Sequence, residues 1–268
     1  GYHPKHADIG WIKLPAPLRT GESITISTPF RVKIPDGRFS RLGHTGQAYY
    51  CTQWFPKPAV FDATGWHAMP YLTEGEFYSE FGTFDVHITV PSNYVVGATG
   101  MLVDGAAEEA WMDSLSKQPL SIVMSEGGAA FPPSSKDLKT LHFRQDRVHD
   151  FAWFADKRFE VRRSSVTLPA SGRTVTTQVL FTPRNGALGE KAVEYVNESV
   201  RLYSQWVGDY PYDRATAVDG TISAGGGMEY PMITIIGNMG DKQSRDNVIA
   251  HEVGHNWFYR ILGSNERD

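Results

Sequence analysis

The pattern of apolar residues changes near Phe159, and this change limits the possible folds more than any other feature of the sequence. Before it, short segments alternate polar and apolar residues, a period typical of strands that bury one face. The clearest is Thr83–Val90, which ends at Pro91. Turn residues such as Pro35-Asp36-Gly37 recur between the segments. Residues 1–158 are therefore predicted to form an N-terminal antiparallel β saddle or sandwich. Further predicted elements are strands at Glu22–Ser27, Phe30–Ile34, Tyr49–Phe55 and Leu120–Met124, and a short helix at Val148–Phe154.

After Phe159 two strands are followed by segments with helical period. The strands are predicted at Phe159–Leu168 and Thr174–Phe181. Leu188–Val207 repeats apolar residues every three or four positions and precedes Gly208, a common residue after a helix end. A second helix is predicted at Ser244–Leu262, with Gly263 as its C′ residue. The sequence thus predicts an α+β protein with two domains, 1–158 and 159–268.

Composition excludes several classes of partner. The 268 residues carry a net charge of −4, which gives no electrostatic basis for binding nucleic acid. No apolar run reaches the length of about 18 residues that a membrane span needs. Cys51 is the single cysteine, so an internal disulfide is impossible, and we expect it to be a small buried residue. This cysteine count and the many Trp and Tyr residues favour a periplasmic or cell-surface location.

The last predicted helix carries the residues with clear chemical meaning. His251 and His255 are four positions apart, so both imidazoles face one side of the helix, where they can bind one Zn²⁺. Glu252 lies one step around the helix, close enough to act as general base on a metal-activated water. The alternative is an ordinary amphipathic helix with a surface histidine pair.

A zinc hydrolase needs a third protein ligand, and the residues after His255 do not supply a convincing one. In the pattern H-E-x-x-H-x-x-G-x-x-H, the Gly and final His positions are Phe258 and Ile261 here. Glu266 and Asp268 are the only later carboxylates, and both follow the helix too closely to fold back. The sequence therefore predicts one zinc site that is incomplete in this chain.

Two motifs together resemble the M1 family of zinc aminopeptidases. They are the His251–Phe258 helix and, about twenty residues earlier, Gly226-Gly227-Met228-Glu229; Thr52-Gln53 and Asp209–Tyr212 are also similar to that family. The resemblance implies a thermolysin-like catalytic domain in which His251 and His255 bind zinc and Glu252 is the general base. It also implies a third ligand, a Glu separated from the second His by eighteen residues, and a catalytic Tyr beyond it. Both positions follow Asp268, so we expect a fragment that begins inside the β domain and ends halfway through the catalytic domain.

The glycine-rich segment predicts how a peptide substrate would bind. Glycines allow close approach of a peptide that pairs as an added strand, and Glu229 could bind its free α-ammonium. The predicted substrate-binding residues are Gly226, Gly227, Met228, Glu229 and Tyr230.

Two departures from the family pattern keep other functions open. Tyr230 stands where the family usually has Asn, and Phe55 stands where it often has a second amine-binding residue. A related zinc endopeptidase and a non-catalytic β-rich binding module therefore remain alternatives to the aminopeptidase. For this chain alone we expect weak zinc binding, little or no turnover of peptides, and self-association through exposed apolar surface.

Overall fold

The computed structural model describes residues 1–37, 41–71, 77–121, 129–183, 186–220, 226–237 and 242–265. Over these residues the chain is a mixed α+β protein in which strands outnumber helices. The strands are β1 (Gly43–Thr45), β2 (Ala48–Cys51), β3 (Val60–Asp62), β4 (Gly65–His67), β5 (Gly82–Pro91), β6 (Val95–Ala98), β7 (Met101–Leu102), β8 (Leu138–Val148), β9 (Trp153–Asp156), β10 (Glu160–Thr167), β11 (Thr174–Phe181), β12 (Arg214–Asp219), β13 (Gly227–Tyr230) and β14 (Ile233–Ile236). The helices are α1 (Ala106–Ser116), α2 (Gly186–Val207) and α3 (Lys242–Phe258).

The described strands form four sheets that separate along the sequence. Three lie before Arg158, with strand orders β1-β2-β9-β6, β5-β8-β7 and β3-β4. The fourth follows it, with order β10-β11-β12-β14-β13, and mixes parallel and antiparallel neighbours. Because no sheet in the described part of the chain contains strands from both sides of Arg158, we propose the domain boundary at 158/159.

Several predicted elements are confirmed. The alternation at Thr83–Val90 forms β5, whose residues Phe84, Val86 and Ile88 face inward while the residues between them are exposed. The predicted strands after Phe159 are β10 and β11, paired antiparallel along their whole length. Helix α2 is also present and ends at Val207, followed by Gly208, whose φ of 112° lies in the region that favours glycine.

Other predicted elements are wrong or differ in length. Residues 22–34 form no strand, and most of them are exposed. Val148–Phe154 is not a helix, because Val148 ends β8 and Trp153 begins β9. Of Tyr49–Phe55 only the first three residues are in a strand, and Leu120–Met124 lies mostly outside the described residues.

Helix α3 packs on α2 and the edge of the five-stranded sheet. It ends at Phe258 rather than at Leu262, and a turn leads on to Gly263, whose φ is 59°. Gly254 allows close contact with α2, since a Cβ there would lie 2.9 Å from the Tyr203 ring. Trp257 Nε1 donates to Gly208 O at 2.8 Å, just past the end of α2. These contacts fix the face that α3 turns to the sheet.

One hydrophobic cluster joins the four-stranded sheet to the five-stranded sheet. Tyr50 and Phe154 of the first pack with Leu180 and Ile233 of the second. The sheets approach closely at Gly97, where a Cβ would lie 2.6 Å from Leu180 Cδ1. The five-stranded sheet therefore has apolar cover on both faces, from this sheet on one side and from α2 and α3 on the other.

Two further expectations concern Cys51 and the helices. Cys51 is buried, and burial raises the pKa of its thiol to about 12, so it is an inert core residue as expected. In the described part of the chain, each helix is too short or too polar to cross a bilayer.

Candidate active site

Helix α3 brings its two histidines into the arrangement that a metal ion requires. His251 and His255 lie one turn apart, and their Nε2 atoms are 3.1 Å from each other. Two ligands held about 2.0–2.1 Å from a tetrahedral Zn²⁺ lie about 3.3 Å apart. His251 is exposed and the His255 side chain is 24% exposed, so an ion can reach both nitrogens from solvent. This histidine pair therefore fits zinc.

Glu252 lies on the buried side of α3, against the first residue of β13. The residue is 5% exposed. Its carboxyl group occupies the space that a side chain at position 227 would fill, because a Cβ on Gly227 would lie 2.7 Å from Glu252 Cδ and still closer to Oε1. Gly227 thus has a steric reason to be glycine, and it fixes the carboxylate beside the strand edge.

Glu229 lies on the same face of β13 and approaches His255 from the side opposite His251. Its Oε1 atom is 3.8 Å from His255 Nδ1, whereas His255 Nε2 faces His251. One ligand atom each of Glu229, Glu252 and His255 lies within 4.8 Å of the others. Glu229 therefore lies beside the ring nitrogen of His255 that faces away from His251.

The other residues of the glycine-rich segment lie either in the core or at the partly exposed strand edge. Met228 and Tyr230 are 5% and 2% exposed and belong to the cluster between the sheets. Tyr230 packs against Phe154, and burial raises the pKa of its hydroxyl well above the ordinary value. Gly226 and Gly227 are partly exposed at the strand edge. The structure therefore brings Gly227 and Glu229 to α3 and turns the Met228 and Tyr230 side chains into the core.

The turn between β13 and β14 is held from two sides. Asn256 Oδ1, on α3, accepts the Met232 N–H at 3.1 Å. From the N-terminal half, Thr99 Oγ1 donates to Pro231 O at 3.0 Å and the Gly100 N–H points to Met232 Sδ at 3.3 Å. Met232 has a φ of 68°, which is uncommon for a residue with a side chain. These bonds fix the register between α3 and the strand that carries Glu229.

Arg260 is a residue of this site that the sequence did not indicate. It is 3% exposed, its Nη2 donates to Glu229 O, and the same atom is 4.0 Å from Glu229 Oε1. Its Nη1 is 3.1 Å from His149 Nε2. Burial, together with the charges of Arg260 and Lys57, lowers the pKa of His149 to about 2, so that imidazole stays neutral. In the sequence, Arg260 differs from its surroundings only as an arginine in an apolar segment soon after the histidine motif. Its partner His149 lies 111 positions away, so no local pattern links the two.

The Thr52-Gln53 segment lies in the same buried polar region. Gln53 has a φ of 51°, and its side-chain amide donates to Asp150 and accepts from Lys57 Nζ at 2.6 Å. Burial and Arg260 lower the pKa of Lys57, and Asp150 partly offsets this. Phe55 instead packs edge-on against Phe84 in a hydrophobic cluster. Its ring therefore contributes to the core.

Comparison with known proteins gives a likeness in fold. The chain matches no family profile and no curated protein sequence. Among solved structures it is similar to a point mutant of an M1 zinc metallopeptidase from Deinococcus radiodurans, with a TM-score of 0.50 at 18% identity. That alignment covers 82% of this chain and 42% of the other, so this chain spans less than half the length of that enzyme. The unmutated enzyme gives a TM-score of 0.49 at the same identity. The fold is M1-like.

Proposed function

We propose that this chain carries part of the active site of a zinc-dependent peptidase that removes N-terminal amino acids from peptides. The observation that carries the proposal is the His251–His255 pair, whose Nε2 atoms are 3.1 Å apart, with the buried Glu252 beside it. The M1-like fold supports the same assignment. In this proposal His251 and His255 are two zinc ligands, and a third ligand follows Asp268, as the family resemblance implies.

Each group of the site has a distinct task. When bound, zinc would polarise the scissile carbonyl and lower the pKa of the attacking water. Glu252 accepts the proton of that water and passes it to the leaving amine. Gly227 leaves the space that this carboxylate occupies. Arg260 donates to the carbonyl oxygen of Glu229 and holds this strand residue in place.

The peptide substrate is proposed to bind along β13. Among the described residues, β13 is the edge strand of the five-stranded sheet. The backbone groups on its outer side can therefore pair with a peptide that adds as a further strand. Glu229 lies in that strand, and its carboxylate would bind the free α-ammonium of the peptide. Specificity for N-termini follows from this single contact.

Zinc binding tests the metal site. We expect weak zinc binding by the 268-residue chain and tight one-to-one binding by a form extended by about thirty residues. His251→Ala should abolish this tight binding in the extended form, because it removes one of the three ligands of the site on α3. Equally tight binding by the short form would place the third ligand within these residues. No zinc binding in any form would favour the non-catalytic binding module.

Blocked substrates test the exopeptidase assignment in the extended form. An aminopeptidase cleaves free peptides and loses activity when the N-terminus is acetylated, because acetylation removes the charge that Glu229 binds. The position of Phe55 in the core favours the endopeptidase alternative, since it leaves the site without a second amine-binding residue there. Equal cleavage of free and acetylated peptides would establish that alternative.

A further inference from the structure

A second group of metal-ligating side chains lies on the three-stranded sheet, formed by strands β5, β8 and β7. His87 on β5 and His142 on β8 are directly opposite each other in the antiparallel register. Their rings are stacked, with centroids 4.1 Å apart and planes 14° from parallel. His87 is exposed and His142 half-buried, so both rings are open to solvent. The pairing of the two strands thus fixes two imidazoles side by side.

Asp85 adds a carboxylate to this pair. It precedes His87 by two residues, so it lies on the same face of β5. Its Oδ1 is 2.7 Å from His142 Nε2, and this hydrogen bond is the first cause that lowers the Asp85 pKa. One ligand atom of each of Asp85, His87 and His142 lies within 4.8 Å of the other two. These three donors can therefore contact one ion after small rotations of exposed side chains.

We propose that Asp85, His87 and His142 form a second divalent transition-metal site, separate from the histidine pair on α3. Two imidazoles and one carboxylate suit Zn²⁺, Cu²⁺ and Ni²⁺, whereas Mg²⁺ and Ca²⁺ prefer sites made of oxygen ligands. A bound ion takes the place of the proton between His142 Nε2 and Asp85 Oδ1. Water completes the coordination, because this face of the sheet is open.

Arg144 is the group that opposes the ion. Its Nη1 donates to Asp85 Oδ2 at 3.1 Å, and its Nη2 lies 3.7 Å from Asp146. The first contact holds the carboxylate so that Oδ1 faces the imidazoles, but the guanidinium charge repels a cation at this distance. Arg144 therefore lowers the affinity of the site without filling the space between the rings.

Zinc titration of the 268-residue chain by calorimetry tests the proposal. We expect His87→Gln and His142→Gln each to weaken one class of sites at least about tenfold, because even the loss of an outer-shell partner costs about 10–100-fold. His251→Ala should leave this class unchanged. The matched control is His67→Gln, which breaks another Asp–His contact, 2.9 Å long, with Asp62. In the β3–β4 register the residue opposite His67 is Val60, so this contact has no second imidazole beside it. Unchanged stoichiometry and affinity in both His87→Gln and His142→Gln would overturn the site.

Two further variants test the role assigned to Asp85. Asp85→Asn should weaken binding, and Arg144→Gln should strengthen it several-fold by removing the opposing charge. Electron paramagnetic resonance with Cu²⁺ gives a second readout, in which nitrogen couplings from two imidazoles reduce to one in His87→Gln. All four variants alter solvent-accessible side chains of the sheet, and circular dichroism checks that each is folded. Unchanged affinity in both Asp85→Asn and Arg144→Gln would remove Asp85 from the ligand set.

Discussion

At the scale of single residues, Glu252 can hold its position because Gly227 has no side chain. A methyl group at 227 would overlap the Glu252 carboxyl group and force it away from β13. Catalysis is sensitive to such displacement, because a shift of about 1 Å in a reacting group can cost about 10²-fold in rate. The three atoms nearest to such a methyl group all belong to Glu252, and none belongs to the proposed zinc ligands His251 and His255.

If the proposed activity holds, we therefore expect Gly227→Ala, in the form extended by about thirty residues, to lower kcat about 10²-fold with little change in zinc content. Steady-state kinetics and metal analysis of the same preparation measure the two effects. Gly82→Ala is the matched control, since a Cβ at Gly82 meets nothing within 4 Å. Full activity of Gly227→Ala would show that Glu252 does not need its present position.

The sequence indicated some residues of this candidate site and gave no indication of others. The two histidines and Glu252 are visible because helix geometry relates positions four apart without knowledge of the fold. Arg260 contacts Glu229 and His149 only because a strand, a turn and a helix meet in space. Such contacts depend on tertiary packing, and no local pattern in the sequence encodes them.

At the scale of elements, one carboxylate of helix α1 contacts two strands of the five-stranded sheet. Glu109 lies between the guanidinium groups of Arg163 on β10 and Arg214 on β12. Burial opposes its ionisation, but the two arginines outweigh this and lower its pKa below the ordinary 4.5. A lowered folded-state pKa means that this stabilisation is present above the ordinary value and is lost as pH falls below it.

Glu109→Gln should therefore lower the free energy of unfolding by about 1–2 kcal/mol at neutral pH, after allowance for the partial exposure of the side chain. The difference from the unmodified protein should shrink as pH falls below 4.5. Urea unfolding across this pH range measures both. Asp113→Asn is the control on the same helix, since Asp113 is 59% exposed and its ion pair with Arg163 should contribute less than about 0.5 kcal/mol. A difference independent of pH would contradict the electrostatic account.

The wrongly predicted elements have physical explanations. Residues 22–34 alternate polar and apolar side chains, but alternation specifies which face is buried and does not supply a neighbouring strand. Val148–Phe154 is a short apolar run, for which periodicity does not separate helix from strand. Helix α1 was missed because it has eleven residues, lacks a side-chain N-cap and buries little beyond Met112. The long elements β5, β10, β11 and α2 were predictable because their period repeats several times.

At the scale of the whole molecule, exposed apolar side chains gather at the end of α3 and in the turn that follows it. Phe258, Ile261 and Leu262 are 52%, 49% and 68% exposed. Ile261 also lines a cleft of about 600 Å³ together with Phe81, which is itself 43% exposed. Contiguous apolar surface of this kind favours association between molecules.

We predict that the 268-residue chain self-associates through this surface and that Leu262→Lys weakens the association. Sedimentation velocity at several concentrations should show a smaller average mass for the variant. Leu138→Lys provides the control, because Leu138 is 66% exposed but lies on β8, away from these residues. Equal self-association of the two variants would indicate that another surface is used.

The turn at Pro231–Met232 has a consequence for how such a protein can be recombined. It is bonded to Thr99 and Gly100 in the first half of the chain and to Asn256 on α3. A chimera that exchanged residues 1–158 for an unrelated β domain would remove the first two partners and the apolar cover of the sheet beneath them. The turn after the strand that carries Glu229 would then keep its bond to Asn256 but lose those to Thr99 and Gly100. The distance between Glu229 and the two histidines would therefore be less firmly fixed. The β-rich half and the half that carries the candidate zinc site are therefore coupled through this turn, and a viable exchange has to keep the residues on both sides of it.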